Sequence, residues 1–213
     1  MRGGRMSIVN WHSKLQVLSL DFHPVSGCLA TAGADHEIKI WGISSSGGSD
    51  DEFPTATFQA ALTCNGSGNA HNSAVNVVRF SPCGEYLASG ADDGSIIVRK
   101  LHRSGDYSEA WNQVHKMLLL HRMKVLDLQW SHDSAFIVSA SADTTCVIWD
   151  ASKGKVHQEL RGHQNHVKGV AWDPSEQYIA SLSSDRSCKI YANKPKEGAR
   201  MNFVCEHTLV KEV

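Results

Sequence analysis

His121, Ser139 and Asp143 are the three side-chain types of a hydrolytic triad, and Trp149 follows six residues after the aspartate (143 to 149). Two chemistries fit such a set. A base could activate the serine as a nucleophile, with the carboxylate orienting the imidazole. Alternatively the four groups could satisfy one another: the carboxylate accepts an imidazole N–H, the imidazole holds the hydroxyl, and the hydroxyl meets the indole N–H. Recurrence decides between them. A catalytic site is normally single, whereas His, Ser or Thr, and Asp recur together along this chain, at His71, Ser89 and Asp93, at His163, Ser181 and Asp185, and at Thr31 and Asp35. A repeated hydrogen-bonded frame is therefore expected, and no enzyme. The chain also lacks a nucleophile elbow, a phosphate loop and a zinc-protease motif, and His163-x-x-His166 is too little for a metal site. No cofactor is expected.

The elements that must position these groups are short strands. Between Leu120 and Asp150, Val125, Leu128 and Trp130 mark one apolar segment, 136–140 a second and 146–149 a third, separated by the turn-forming runs SHDS and SADTT. The register repeats along the chain. From histidine to first-strand aromatic is nine residues in three repeats (71 to 80, 121 to 130, 163 to 172). From that aromatic to the turn aspartate is thirteen in four (22 to 35, 80 to 93, 130 to 143, 172 to 185). His12 stands one residue out of this register, which puts the first frame, with Thr31, Asp35 and Trp41, in doubt. Arg99 occupies the tryptophan position of the second repeat, so Ser89 is expected to lose its indole partner and to need another donor or water, at about 1 kcal/mol if it stays buried and unpaired. Tyr191 occupies that position in the fourth repeat, where its phenol is expected to replace the indole as donor.

Such a meander with a His–Ser/Thr–Asp–Trp frame resembles a blade of the WD-repeat propellers, and Trp149-Asp150 is the dipeptide that names them. The expected fold is all-β: a WD-repeat β-propeller segment over 7–203, with repeats at about 11–41, 71–100, 120–150 and 162–191. Outer strands are expected near 56–63, along WNQVHKMLLL and along MNFVCEHTLVKEV. SIVNW, residues 7–11, reads as a lone strand of the kind that closes such a ring. A Ser/Gly-rich loop within 42–70 carries the acidic run Asp50-Asp51-Glu52, read as a solvated loop.

Composition narrows the class of partner. The 213 residues are 41% hydrophobic, with 17 glycines and 5 prolines, as suits a turn-rich β domain. A net charge of −1 gives no basic footprint for gripping nucleic acid, so sequence-specific DNA binding is not expected and protein partners are. The clusters 99–103 and 194–200 are short and read as solvated loops. No apolar run reaches the length of a membrane span and the start lacks a secretory segment, so an intracellular protein without membrane contact is expected. The six cysteines form no Cys-x-x-Cys pair. Cys146 and Cys188 fall three residues after a turn aspartate, where other repeats carry Ile38 and Ile96, and read as core thiols. Asn65-Gly66-Ser67 reads as a chance sequon.

The stretches NWHS, LSLDFHP, AVNVVRFSP, VLDLQWSHD, GVAWDP and SSDRSCKIYANKP together resemble the N-terminal half of the middle subunit of chromatin assembly factor one, nearest its plant, fasciata-type form. The resemblance covers 10–203. It implies a seven-bladed propeller with a tail, in a nuclear trimeric complex that deposits core histones on DNA behind replication and repair. It also implies partners: the large and small subunits of that complex, and core histones directly or through it. Only about four repeats are present, so an incomplete ring is expected, with 204–213 as a truncated end: a truncated product, a splice variant or an incomplete gene model. Two β surfaces and a sheet edge are then expected to face water. Residues just inside each first strand, Asn76, Leu126 and Lys168, are candidate partner contacts on the rim. A generic WD-repeat adaptor, such as a ubiquitin-ligase substrate receptor, is the alternative. Such receptors often carry Trp-Asp-x-Arg, and here Ser152 stands in the arginine position.

Overall fold

The computed structural model describes residues 12–44, 55–62, 71–103, 109–117, 120–195, 197–198 and 200–210. The expected lone strand at 7–11, the acidic run 50–52 and the sequon at 65–67 lie outside them. The described residues contain no helix and form sixteen strands. Four sheets result, each a meander of four sequential strands. Blade one holds β1 (Val17–Phe22), β2 (Leu29–Gly33), β3 (Ile38–Ser44) and β4 (Thr55–Leu62). Blade two holds β5 (Val75–Phe80), β6 (Tyr86–Ala91), β7 (Ile96–Arg103) and β8 (Glu109–Met117). Blade three holds β9 (Val125–Trp130), β10 (Phe136–Ser141), β11 (Cys146–Asp150) and β12 (Lys155–Leu160), and blade four β13 (Val167–Trp172), β14 (Tyr178–Ser183), β15 (Ser187–Asn193) and β16 (Phe203–Val210). β12, with sequence KVHQEL, is the one outer strand that no run in the sequence announced.

Side chains alternate across a strand, so each central strand must find apolar partners on both faces. β10, FIVSAS, is buried at all six positions because blades lie on both sides of it. Its Ile137, with Leu128, Trp130 and Trp149, packs on Val77, Ala88, Ile96 and Val98 of blade two. Its Phe136, Val138 and Ala140 pack on Val170, Trp172, Ile179 and Tyr191 of blade four. Each fully buried aliphatic or aromatic side chain contributes roughly 1.5–3 kcal/mol, so three such layers carry the fold.

The sheets follow one another in an arc that does not close among the described residues. The outward face of blade one exposes Leu20 (57%) and Phe22 (56%), and that of blade four exposes Leu182 (53%). For the same reason Cys188 is half-buried rather than a core thiol, while Cys146, between two blades, is fully buried.

Candidate functional site

The tetrads sit where the inner strands begin. In blade three His121 Nδ1 lies 2.9 Å from Asp143 Oδ2, His121 Nε2 lies 2.6 Å from Ser139 Oγ, and Trp149 Nε1 donates to Ser139 Oγ at 2.8 Å. Indole and carboxylate have fixed roles, so the indole donates to the hydroxyl and Nδ1–H donates to the carboxylate, while the hydroxyl has both Nε2 and the Val147 carbonyl at 3.3 Å beside it. Burial pushes the Asp143 carboxyl up, but bonds from His121 and Thr145 outweigh it and hold it well below the usual carboxylate range. Blade four repeats His163–Asp185 at 2.9 Å and His163–Ser181 at 2.7 Å. Asp185 is likewise lowered: desolvation raises it, and bonds from Ser187, the Gln164 amide and His163 prevail.

Three expectations about these frames need correction. His12 does join its frame, 2.6 Å from Asp35 and 2.9 Å from Thr31, with Trp41 donating to Thr31 at 2.9 Å. The extra residue is taken up in a turn where Ser13 and Lys14 have φ of 40° and 65° and the Leu15 amide donates to His12 O. In blade two the donor that Ser89 needs in place of an indole is Arg99 itself, which donates to Ser89 Oγ at 3.2 Å. Asp93, however, does not meet the imidazole directly. Ser95 stands between them, its Oγ 2.9 Å from His71 Nδ1 and its amide donating to Asp93 at 2.9 Å. Burial, then the nearby Arg99 charge, push His71 down to about 3, so it is neutral here; burial also lowers Arg99 to about 10. Finally, the Tyr191 hydroxyl does not take the indole's place: it is buried with no partner in hydrogen-bond geometry, although Ser181 is near enough to act on the phenol against the larger effect of burial. A phenol oxygen lies at the far end of the ring axis, whereas an indole N–H leaves the ring's flank. Burial raises the Tyr191 phenol above its ordinary range.

As chemistry, the frames of blades two and three are sealed. Ser89 and Ser139 are fully buried, and each hydroxyl is held between a donor and an imidazole with no room for a substrate carbonyl. Among the described residues no group of three His, Cys, Asp or Glu side chains could hold a metal ion.

The candidate rim residues share a device that sequence spacing did not reveal. In the pairing of each inner strand with its neighbour one residue is skipped: Leu18 between Val17 and Ser19, Asn76 between Val75 and Val77, Leu126 between Val125 and Asp127, Lys168 between Val167 and Gly169. Each is thus the extra residue of a β-bulge, which turns a side chain out of the ladder. Lys168 and Leu18 are exposed, whereas Asn76 and Leu126 are half-buried. The Asn76 amide is already engaged, donating to Asp92 at 2.7 Å and to Val125 O at 3.0 Å in the next blade. Leu18 completes the set and was missed, although it holds the same place relative to Phe22 that Asn76 holds relative to Phe80.

A second unforeseen feature ties the inner strands together. Arg79 donates to Ser19 of blade one at 3.1 Å and to Asp127 of blade three at 3.1 Å. Asp127 also accepts the Val170 amide of blade four at 3.2 Å, and Asp21 accepts the Phe80 amide at 2.8 Å. No local pattern marks such groups, because every partner lies more than forty residues away.

Four-stranded meanders stacked face to face, with buried His–Ser/Thr–Asp frames at the strand ends, define a WD-repeat β-propeller. The chain belongs to the CAF1B/HIR1 β-propeller domain family, whose family model matches residues 5–208. It is 61% identical over 215 aligned residues to the rice chromatin assembly factor 1 subunit FAS2 homolog, covering 99% of this chain and 41% of that protein. It is 38% identical over 165 residues to a chromatin assembly factor 1 subunit of Gallus gallus, covering 69% of this chain and 27% of that one. Protein hir1 of Schizosaccharomyces pombe is 32% identical over 150 residues, covering 65% of this chain and 16% of that protein. The chain thus spans less than half the length of these relatives.

Proposed function

We propose that the chain serves as a non-enzymatic scaffold and histone-chaperone subunit of chromatin assembly factor one, acting in the nucleus in nucleosome assembly coupled to replication and repair. The observation that carries this reading is the 61% identity to a named subunit of that factor across nearly the whole chain. The sealed frames favour presentation of surfaces over chemistry. Its partners are the large and small subunits of the complex and core histones, met directly or through the complex. The bulged rim, with exposed Lys168 and Leu18 beside half-buried Leu126 and Asn76, is the contact surface in this reading.

The test is co-expression of the chain with the large assembly-factor subunit, followed by affinity purification and addition of core histones. A stable complex that retains histones supports the proposal. A Lys168→Glu, Leu18→Asp variant should weaken one of these associations while leaving the urea midpoint unchanged. Monodisperse chain that captures neither the large subunit nor histones would overturn it.

A further inference from the structure

At the opposite end of the inner strands from the bulges lies a cavity of about 320 Å³. Asp21, Arg79, Phe80, Pro82, Gln129 and Trp130 line it, so its wall is built by three successive blades. Its charges are unevenly committed. The Arg79 guanidinium is spent on Ser19 Oγ, the Val78 carbonyl and the Asp127 carboxylate, within the protein. Asp21 uses Oδ2 to accept the Phe80 amide at 2.8 Å, the Phe22 amide also acts on the carboxylate, and among the described residues no side-chain donor meets its Oδ1. Arg79 is paired with Asp127, and the Asp21 carboxylate stands in a recess walled by proline, phenylalanine and the edge of a tryptophan.

We propose that this cavity is a recognition site for one cationic side chain, lysine or arginine, from a segment of a partner protein. The hydrocarbon stem of such a side chain suits the Pro82 and Trp130 wall, and its head group supplies the side-chain donor that Asp21 Oδ1 lacks. The volume is at the lower end of what ligand sites offer, which fits one side chain rather than a folded element. Burial raises the Asp21 carboxyl, opposed by the Phe80 amide, the Arg79 charge and the Phe22 amide, and the charge of a bound cation would offset that desolvation. An acidic side chain is disfavoured, since it would meet the Asp21 carboxylate while the Arg79 donors are engaged within the protein. The site does not depend on which complex the chain joins.

The experiment is amide NMR titration of the full chain with N-acetyl-arginine amide and N-acetyl-lysine amide, with N-acetyl-glutamate amide as the control. The expected reporters are the Phe80 amide and the Trp130 indole N–H, which donates to Arg79 O at 3.0 Å. At least one cationic probe should shift both, and the acidic probe neither. Asp21→Asn keeps an acceptor for the Phe80 amide and removes the charge, so it should weaken binding roughly tenfold or more. Gln129→Glu adds a carboxylate at an exposed position of the wall and should tighten it. Shifts by neither cationic probe, equal binding to Asp21→Asn, or preference for the acidic probe would each overturn the assignment. Because the readout involves no assembly-factor subunit or histone, its failure is separable from failure of the proposed function.

Discussion

Arg99 reaches Ser89 Oγ from the strand position at which Trp149 reaches Ser139 Oγ, at 3.2 Å against 2.8 Å. One frame therefore hangs from a buried cation and its neighbour from a neutral indole. The difference propagates inward. Beside a buried guanidinium the imidazole stays neutral, and His71 Nδ1 pairs with the Ser95 hydroxyl rather than with a carboxylate. The two frames have the same outline and different titration behaviour.

Acid should weaken blade two first. His71 has a folded pKa of about 3 against an ordinary 6.5, so the unfolded chain binds a proton that the folded one refuses between these values. The stabilisation from keeping it neutral is complete above pH 6.5 and falls as pH drops toward 3. By pH 5 the loss is about 2 kcal/mol. Asp143 and Asp185, whose folded pKa values are lowered, lose their contribution only below the ordinary carboxyl value of 3.8. Urea midpoints at pH 7 and pH 5 check this: His71→Gln should flatten the difference, and an unchanged difference would refute it.

Removing the turn carboxylates should have unequal effects. Asp143→Ala and Asp185→Ala each remove the nearer acceptor of an imidazole N–H, leaving only the Thr145 or Ser187 hydroxyl at 3.4 or 3.1 Å, and each strips two backbone amides of their acceptor, Arg122 and Thr145 or Gln164 and Ser187, at about 1–3 kcal/mol. Asp93→Ala should cost less, because His71 pairs with Ser95 at 2.9 Å and not with Asp93, whose carboxylate accepts the Ser95 amide. Equal shifts in urea midpoint for all three variants would rule out this account of the frames.

Gly33 leaves the space that the displaced His12 ring occupies. A Cβ there would stand 2.5 Å from His12 Nδ1 and 2.9 Å from Gln16 O, whereas the matching positions in the other blades hold Ala91, Ser141 and Ser183. Gly33→Ala should destabilise by about 1–3 kcal/mol. The increment should shrink in a His12→Ala background, and thermal melts of the single and double variants will show whether it does.

The sequence made the blade legible because its signals are local. Aromatic-to-aspartate spacing, turn residues and apolar alternation all fall within one repeat, and from them the strands from Val125 to Asp150 follow. β12 escaped because KVHQEL is an outer strand with half its side chains exposed, so burial left no apolar alternation to read. The frames were legible by residue type and less so by connection. A one-residue slip at His12 is invisible to fixed spacing, and whether Tyr191 can reach Ser181 depends on ring geometry. The bulges and the Arg79 contacts were illegible for a different reason: pairing register and neighbouring blades create them. Asn76, Leu126 and Lys168 can be singled out by position, but not their shared cause.

The Arg79–Asp127 pair should couple the blades measurably. The two groups are partly exposed, at 30% and 21%, so their direct attraction is modest, on the order of 1 kcal/mol. Asp127 does more than pair with Arg79, since it also accepts the Leu128 and Val170 amides. Asp127→Ala should therefore cost more than Arg79→Met, which leaves Ser19 able to accept from the Val78 amide. In a double-mutant cycle the coupling energy should be about 0.5–1 kcal/mol and should shrink as salt rises to about 1 M, the behaviour of a partly screened ion pair. Additive effects at low salt would mean that the two residues act separately, and the bridge across blades one to three would then carry no energy of its own.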